Sequence, residues 1–217
     1  NLPNALSVIA VTKKGNLLHA PDIYMEKIAI GSNLPKNLID LDYSVEKNIK
    51  LLSEAKNAKP EDLTACILKR PRHDDIIKSL NSMGVKINFI TDGDVSGVIS
   101  VAYEHSKVDI YLGIGGGPEG VLSAAALSCL GCQMQTRLFF QNSAEKNRTK
   151  NLGIKDLDKK YAIEDMVKGD VIFCATGVTD GDLVKGIKDL GNSFESETYV
   201  LHKNSKTNKI LKRQSKK

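Results

Sequence analysis

The stretch YLGIGGGPEGVLSAAALSCLGC, residues 111–132, places glycines and one proline between an apolar run and an alanine-rich segment. The apolar run predicts a buried strand, and the alanine-rich segment predicts a helix directly after it. Glycines at the junction let backbone amides approach a ligand closely, because no Cβ atom intervenes. Pro118 suits the first helical position, and Glu119 then lies in the first turn, where the helix dipole favours a carboxylate.

The same succession of strand and helix precedes this stretch. Alternating strands and helices predict parallel strands with crossover connections, so the sequence predicts an α/β fold. In such sheets ligands bind beyond the carboxyl ends of the strands. The predicted strands cover residues 6–11, 16–20, 63–68, 85–90, 108–114, 169–176 and 196–202, and the predicted helices cover residues 45–58, 73–84, 95–105 and 118–131.

A basic loop follows the strand at residues 63–68. In KRPRH, residues 69–73, Arg70 and Arg72 flank Pro71, and guanidinium groups fit phosphate oxygens bidentately. The loop therefore predicts a phosphate contact, with a simple solvated loop as the alternative. His73 is expected to begin the next helix and not to act as a base.

Two further loops carry acids beside glycine. In TDGD, residues 91–94, Asp92 and Asp94 flank Gly93 and can accept hydrogen bonds from sugar hydroxyls or bind a metal. An Asp-Gly turn with Asp94 as helix cap is the alternative. In GIGGGPEG, Glu119 suits Mg²⁺ or Mn²⁺, and a tight turn without ligand stays open. A dinucleotide fingerprint is disfavoured because Pro118 stands at its third glycine.

ATGVTDGD, residues 175–182, also places small residues and acids after a strand. Turn chemistry explains this segment without a ligand. The three loops at residues 69–73, 91–94 and 113–120 together form a stronger pattern than any one of them. Basic groups for a phosphate, acids for sugar hydroxyls and a glutamate for a cation predict a sugar-phosphate site.

The net charge of +5 arises from the end of the chain. Residues 203–217 hold seven Lys and Arg and no Asp or Glu, whereas the rest has 24 basic and 26 acidic residues. Such a tail is typical of a solvated, frayed terminus. Aromatic residues make up 5% and Trp is absent, so we expect no nucleic-acid partner. No apolar run reaches the ~18 residues that span a bilayer, so we expect no membrane partner.

The four cysteines do not form a disulfide framework in a chain of this length. Cys129 and Cys132 have the spacing of a redox motif, but they follow the predicted helix instead of beginning it. Placement at a helix N-terminus is what lowers the pKa of redox thiols. We therefore expect reduced packing thiols and a cytoplasmic protein.

The loops and their flanking strands resemble one family. NLPNALSVIAV, APDIYMEKIAIG, RPRH, TDGDVSGVI, LGIGGGPEGVLSAAALSCLGCQMQTRL and IFCATGVTDGDL resemble class II fructose-1,6-bisphosphatase, in the family's order. The resemblance implies a layered α/β sandwich shared with inositol monophosphatases. It implies hydrolysis of the 1-phosphate of fructose 1,6-bisphosphate in gluconeogenesis, with Mn²⁺ or Mg²⁺, and some photosynthetic members also take sedoheptulose 1,7-bisphosphate. We expect a homo-oligomer.

The resemblance also implies roles for nine residues. Glu119 resembles the metal-ligand glutamate of the family's Pro-Glu-Gly motif. The substrate-binding residues that the resemblance implies are Tyr24, Arg70, Pro71, Arg72, Asp92, Gly93, Asp94 and Gly116.

The chain departs from the family at its beginning. Family members carry an Asp-Pro-Ile-Asp-Gly-Thr metal motif before the position of Asn1, with further acids and a Lys/Thr pair that activates water. We therefore expect the C-terminal two-thirds of the enzyme: residues 1–43 ending an N-terminal subdomain, residues 44–202 forming a C-terminal α/β subdomain, and residues 203–217 a basic tail. This segment alone is expected to bind substrate weakly and turn over negligibly. A non-catalytic sugar-phosphate-binding module and another sugar or inositol phosphatase stay open.

Overall fold

Two β-sheets and six α-helices make up residues 3–103 and 105–217, which a computed structural model describes. The strands are β1 (Leu6–Thr12), β2 (Tyr24–Ile30), β3 (Thr64–Leu68), β4 (Lys86–Ile90), β5 (Ile110–Gly116), β6 (Gln133–Phe139), β7 (Lys160–Ala162), β8 (Val171–Gly177), β9 (Lys188–Asp189), β10 (Ser193–His202) and β11 (Thr207–Lys216). The helices are α1 (Val45–Ala55), α2 (Asp74–Ser82), α3 (Asp94–Ile99), α4 (Gly117–Leu130), α5 (Ser143–Asn151) and α6 (Ile163–Met166). Single 3-10 turns lie at Pro60–Asp62, Pro71–His73 and Ser100–Ala102.

The larger sheet has the strand order β4-β3-β5-β2-β6-β7. β3 runs parallel to both β4 and β5, with Cys66 opposite Asn88 on one side and opposite Tyr111 on the other. β2 lies antiparallel between β5 and β6, and β7 pairs antiparallel with β6. The prediction of parallel strands is confirmed for β3, β4 and β5, whereas β2 and β6 are antiparallel strands that the sequence did not predict. The carboxyl ends of the three parallel strands meet at one edge of the sheet.

The smaller sheet is antiparallel and has the order β1-β8-β10-β11, with β9 on β10. Its last strand corrects the prediction of a frayed tail. All ten residues of β11 pair with β10, and the side chains of β11 are largely exposed. Backbone hydrogen bonds to a neighbouring strand order this segment, while its lysines stay solvated as is common on edge strands.

Helices fill the space between the two sheets and cover the far face of the larger one. Ala124, Ala125 and Ala126 of α4 are fully buried against residues from both sheets, including Met25 and Phe173. On the opposite face of the larger sheet, α1 and α2 cover a second cluster that includes Ile28, Ile49 and Leu80. The order of layers is helices, sheet, helices, sheet, which confirms the predicted layered α/β sandwich.

Several local predictions differ from the structure in instructive ways. Helix α1 begins at Val45 as predicted, and the Ser44 hydroxyl caps it by accepting from the Lys47 amide at 3.2 Å. The second predicted early strand is reduced to one bridge, Leu17 to Val167. The helix predicted over residues 95–105 ends at Ile99 and continues as a 3-10 turn, and Glu104 of that prediction lies outside the described residues. The division at residue 44 stays a prediction.

The four cysteines are unpaired, which confirms the expectation of packing thiols. Burial raises the pKa of the Cys66 thiol to about 12 and that of Cys132 to about 11. Such thiols are poor nucleophiles, because the thiolate is the reactive form. Separately, none of the helices among residues 3–103 and 105–217 is long and apolar enough to cross a bilayer.

Candidate functional site

One cavity of about 580 Å³ opens at the carboxyl ends of β3, β4 and β5. The three loops that the sequence singled out all reach it, because these strands are parallel neighbours. Eight of the nine predicted site residues line the cavity: Tyr24, Arg70, Arg72, Asp92, Gly93, Asp94, Gly116 and Glu119. Pro71 does not line it. The structure thus brings the predicted residues together, and their individual roles stay predictions.

The basic loop presents two anchored guanidinium groups. Arg72 donates from Nε and Nη2 to the carbonyl of Ile114, at 3.0 and 2.7 Å, and stacks on the Tyr24 ring at 4.6 Å. Arg70 donates to the carbonyls of Lys69 and Thr91, at 2.9 and 2.7 Å. Each guanidinium has five N–H donors, so both keep donors for an anion. These backbone anchors reduce the rotamer freedom that binding a phosphate would otherwise remove.

Pro71 and His73 build the turn that carries these arginines. Pro71 begins the 3-10 turn, where its fixed φ is already suitable. His73 is fully buried; its Nδ1 lies 2.6 Å from the Leu68 carbonyl, and its Nε2 accepts from the Ile114 amide at 2.8 Å. Burial lowers the pKa of His73, and both ring nitrogens are engaged. His73 therefore links β3 to β5 and precedes α2, and that it does not act as a base stays a prediction.

The Asp-Gly-Asp loop makes a tight turn into α3. Gly93 adopts a left-handed conformation, with φ 81°, which glycine tolerates without strain. Its amide donates to Asp92 Oδ1 at 2.9 Å. Asp94 is the first residue of α3 instead of its cap, and both of its carboxylate oxygens face protein partners. Lys27 Nζ forms an ion pair with Oδ2, and the Tyr111 hydroxyl donates to Oδ1.

Lys27 and Tyr111 are site residues that the sequence reasoning missed. The Lys27 side chain has no exposed surface, and burial raises the pKa of Tyr111 well above its usual value. A signal for Lys27 was present in the strand MEKIA, residues 25–29. Met25 and Ala29 both point into the apolar layer around α4, so the alternation of a strand places Lys27 there as well. A charged residue at such a position indicates a polar partner inside the fold.

In the glycine-rich turn the carboxylates of Asp94 and Glu119 lie close to the backbone, because glycine has no Cβ atom. A Cβ atom at Gly115 would overlap Asp94 Oδ2, and one at Gly116 would overlap Glu119 Oε2. At Gly117 a Cβ would meet the Pro21 carbonyl at 2.9 Å. Close approach therefore requires glycine at positions 115 and 117, whereas the end of the Glu119 side chain beside Gly116 can move. Helix α4 begins at Gly117, one residue earlier than predicted.

Glu119 lies exposed in the first turn of α4 and borders the cavity. A carboxylate there is a suitable donor for a hard cation. Among residues 3–103 and 105–217, no group of three or more His, Cys, Asp and Glu is arranged to hold a metal ion. Glu119 fits such a cation in kind and is a single ligand, so further oxygen donors must come from substrate, water or other protein groups.

Asn4 is a third residue that sequence reasoning missed. Its amide donates to the Asp180 carbonyl at 3.0 Å, and its Oδ1 accepts from the Asp182 amide at 2.8 Å. The Asp180 carboxylate in turn accepts from the Gly186 amide at 2.9 Å. These bonds join the turn that follows β8 to Asn4 and to Gly186, and that residues 175–182 serve without a ligand stays a prediction. Asn4 also borders the cavity and lies against Gly93, so this turn supports the Asp-Gly-Asp loop.

Comparison with known proteins places this geometry in context. A family model described as bacterial fructose-1,6-bisphosphatase, glpX-encoded, matches residues 1–215. The chain is 38% identical over 216 residues to a D-fructose 1,6-bisphosphatase class 2/sedoheptulose 1,7-bisphosphatase of Synechococcus sp. (strain JA-3-3Ab), covering 94% of this chain and 62% of that protein. It is 39% identical over 218 residues to a fructose-1,6-bisphosphatase class 2 of Haemophilus influenzae, covering 94% and 65%. The chain thus spans less than two thirds of the length of these relatives.

Proposed function

Because the chain belongs to the family of bacterial, glpX-encoded fructose-1,6-bisphosphatases, we propose that it supplies the sugar-phosphate site of such an enzyme. The reaction is hydrolysis of the 1-phosphate of fructose 1,6-bisphosphate to fructose 6-phosphate, a step of gluconeogenesis. The observation that carries the proposal is one cavity bordered by two arginines, an Asp-Gly-Asp loop and an exposed glutamate. Those groups match, in order, a phosphate, sugar hydroxyls and a hard cation.

Arg70 and Arg72 hold the phosphate that is not cleaved. Their guanidinium groups are fixed by backbone carbonyls, so they bind as a preformed pair. The Tyr24 ring, stacked on Arg72, borders the same place and gives the sugar an apolar surface. Strong binding of a remote phosphate orients the rest of the substrate toward the other end of the cavity.

Asp92 and Asp94 accept hydrogen bonds from sugar hydroxyls. Each carboxylate oxygen has two acceptor sites, so Asp94 can accept further hydrogen bonds besides those from Lys27 and Tyr111. A cavity that pairs hydroxyls with buried acceptors discriminates against analogues that lack those hydroxyls. Gly116 lets the substrate approach the backbone closely.

Glu119 would hold a divalent cation, Mn²⁺ or Mg²⁺, at the end of the cavity where the 1-phosphate lies. When bound, such a cation polarises a phosphoryl group and lowers the pKa of an attacking water. Since Glu119 is a single carboxylate, we expect negligible turnover from the 217-residue chain by itself. The cytoplasmic location and the homo-oligomer stay predictions.

Ligand titration of the purified chain tests the proposal. We expect fructose 1,6-bisphosphate to bind more tightly than inositol 1-phosphate, because the ketose carries a second phosphate for the arginine pair. Equal affinity for the two ligands would favour an inositol or other sugar monophosphatase and contradict the proposal. Phosphate release with Mn²⁺ present is expected to be negligible, and rapid release would show that Glu119 needs no further protein ligands.

A second candidate is a non-catalytic sugar-phosphate-binding module. The finding that favours it is the absence, within the described residues, of a group of three or more acidic, His or Cys ligands. The two candidates differ in what the protein carrying this chain does with bound ketose. Enzymatic release of phosphate on addition of Mn²⁺ supports the phosphatase, and unchanged ligand supports the module.

A further inference from the structure

Lys27 is a buried cation in an otherwise apolar layer. Its side chain is fully enclosed, with Met25 and Ala29 on the same face of β2. The stem passes close to the first turns of α4, since a Cβ atom at Gly120 would lie 3.1 Å from Lys27 Cε. The ammonium group ends beside Gly115 and pairs with Asp94. Burial of an ammonium group is costly unless the group is paired, and Asp94 is the partner that Lys27 has here.

The Asp94 carboxylate is held by side chains from two neighbouring strands. The Asp94 side chain is 10% exposed, and its exposed part borders the cavity. Lys27 fixes one carboxylate oxygen from β2, and Tyr111 fixes the other from β5. Two strands of the larger sheet therefore hold in place the side chain of the first residue of α3. A fixed carboxylate loses less freedom on binding a hydroxyl than a mobile one does.

We infer that Lys27 is a positioning residue for sugar recognition, which fixes the charged Asp94 carboxylate so that it accepts hydrogen bonds from the ketose hydroxyls. The inference rests on the proposed function, because it concerns the same cavity. Lys27 acts through Asp94 and does not contribute to phosphate binding, which belongs to Arg70 and Arg72. Its loss is therefore expected to weaken binding of the sugar and to spare binding of inorganic phosphate.

The test is an NMR titration of the 217-residue chain with fructose 1,6-bisphosphate and, separately, with inorganic phosphate. The variants are Asp94→Asn, Lys27→Met and the double variant. Met25→Leu is the matched control, since Met25 lies on the same strand face and meets the same glycine of α4. Lys27→Met leaves Asp94 without its cation and risks misfolding. The double variant removes both charges together, so comparing it with Asp94→Asn still decides the question.

The expected results separate this inference from the proposed function. Asp94→Asn and Lys27→Met each lower affinity for the bisphosphate about tenfold, and the double variant equals Asp94→Asn. The affinity for inorganic phosphate stays unchanged in every variant. The Met25→Leu control binds both ligands as the wild type does. A Lys27→Met protein that binds the sugar normally, or a double variant weaker than Asp94→Asn, would overturn the inference and leave the function intact. A wild-type chain that does not prefer the bisphosphate over inorganic phosphate would overturn the proposed function itself.

Discussion

Two carboxylates border the same cavity and have opposite surroundings. Asp94 is nearly buried, and both of its oxygens are engaged, by Lys27 and by Tyr111. Glu119 is exposed on the first turn of α4, against the bare backbone of Gly116. A carboxylate with its charge already balanced suits neutral hydroxyl groups, whereas an exposed one with an unbalanced charge suits a cation. We infer that the partners of each carboxylate, more than its identity, decide the role proposed for it.

The largest expected effect comes from Glu119→Gln in an active protein that carries this chain. We expect turnover to fall about 100-fold or more, since even outer-shell partners of metal ligands are worth about 10–100-fold. The matched control is Glu164→Gln, because Glu164 is also an exposed glutamate in the first turn of a helix. Steady-state phosphate release measures both variants. Full activity of Glu119→Gln would contradict the assignment of the cation to Glu119 and of the sugar hydroxyls to Asp94.

Paired alanine substitutions in the glycine-rich turn sharpen the comparison. In Gly115→Ala the new Cβ meets Asp94, which its two partners hold in place, so we expect a stability loss of about 1–3 kcal/mol and weaker sugar binding. In Gly116→Ala the new Cβ meets the end of the Glu119 side chain, which can turn toward solvent. We therefore expect little loss of stability and weaker cation binding. Urea unfolding and Mn²⁺ titration distinguish them, and equal stability losses would contradict the account.

A smaller effect is expected from pH, through His73, which links β3 to β5. Burial lowers the pKa of His73 below its ordinary 6.5, so the unfolded chain takes up this proton first as the pH falls. The stability that His73 contributes is thus present above about pH 6.5 and is lost below it, by at most about 1.4 kcal/mol per pH unit. Urea unfolding of wild type and His73→Asn from pH 7.5 to 5 measures it. The wild-type advantage should narrow with falling pH, and a constant difference would refute this.

The smallest expected effect concerns the second partner of Asp94. Tyr111→Phe removes one hydrogen bond and leaves the ion pair with Lys27, so we expect affinity for fructose 1,6-bisphosphate to fall about threefold. Tyr161→Phe is the control, because Tyr161 is a buried tyrosine on β7, outside the cavity lining. Ligand titration of both variants suffices. A larger loss than for Lys27→Met would reverse the ranking of the two partners.

The three loops were predictable because their chemistry is local. The loops at residues 69–73 and 91–94 follow β3 and β4, and residues 113–120 span the end of β5 and the start of α4. The alternation of strands and helices placed those strand ends together. Arg70, Asp92 and Glu119 could therefore be assigned to one site without knowledge of any contact. The residues on either side of them in the sequence were enough to predict the strands and helices that the loops connect.

The residues that were missed depend on distant partners. Lys27 meets Asp94 across 67 positions of sequence, and Asn4 meets Asp182 across 178. A sequence pattern shows which residue types are present and does not show such pairings. The tail was missed for a different reason. Its order comes from backbone pairing of β11 with β10, and its lysine-rich side chains carry no apolar alternation that predicts a strand.

The position of a bound cation tests the division between Asp94 and Glu119 most directly. Crystals of the protein grown with fructose 1,6-bisphosphate and Mn²⁺ would give an anomalous signal for the metal. We predict a manganese peak within about 2.5 Å of the Glu119 carboxylate, a phosphate on Arg70 and Arg72, and a sugar hydroxyl on Asp94. A manganese peak on Asp94, with Glu119 facing solvent, would contradict the account.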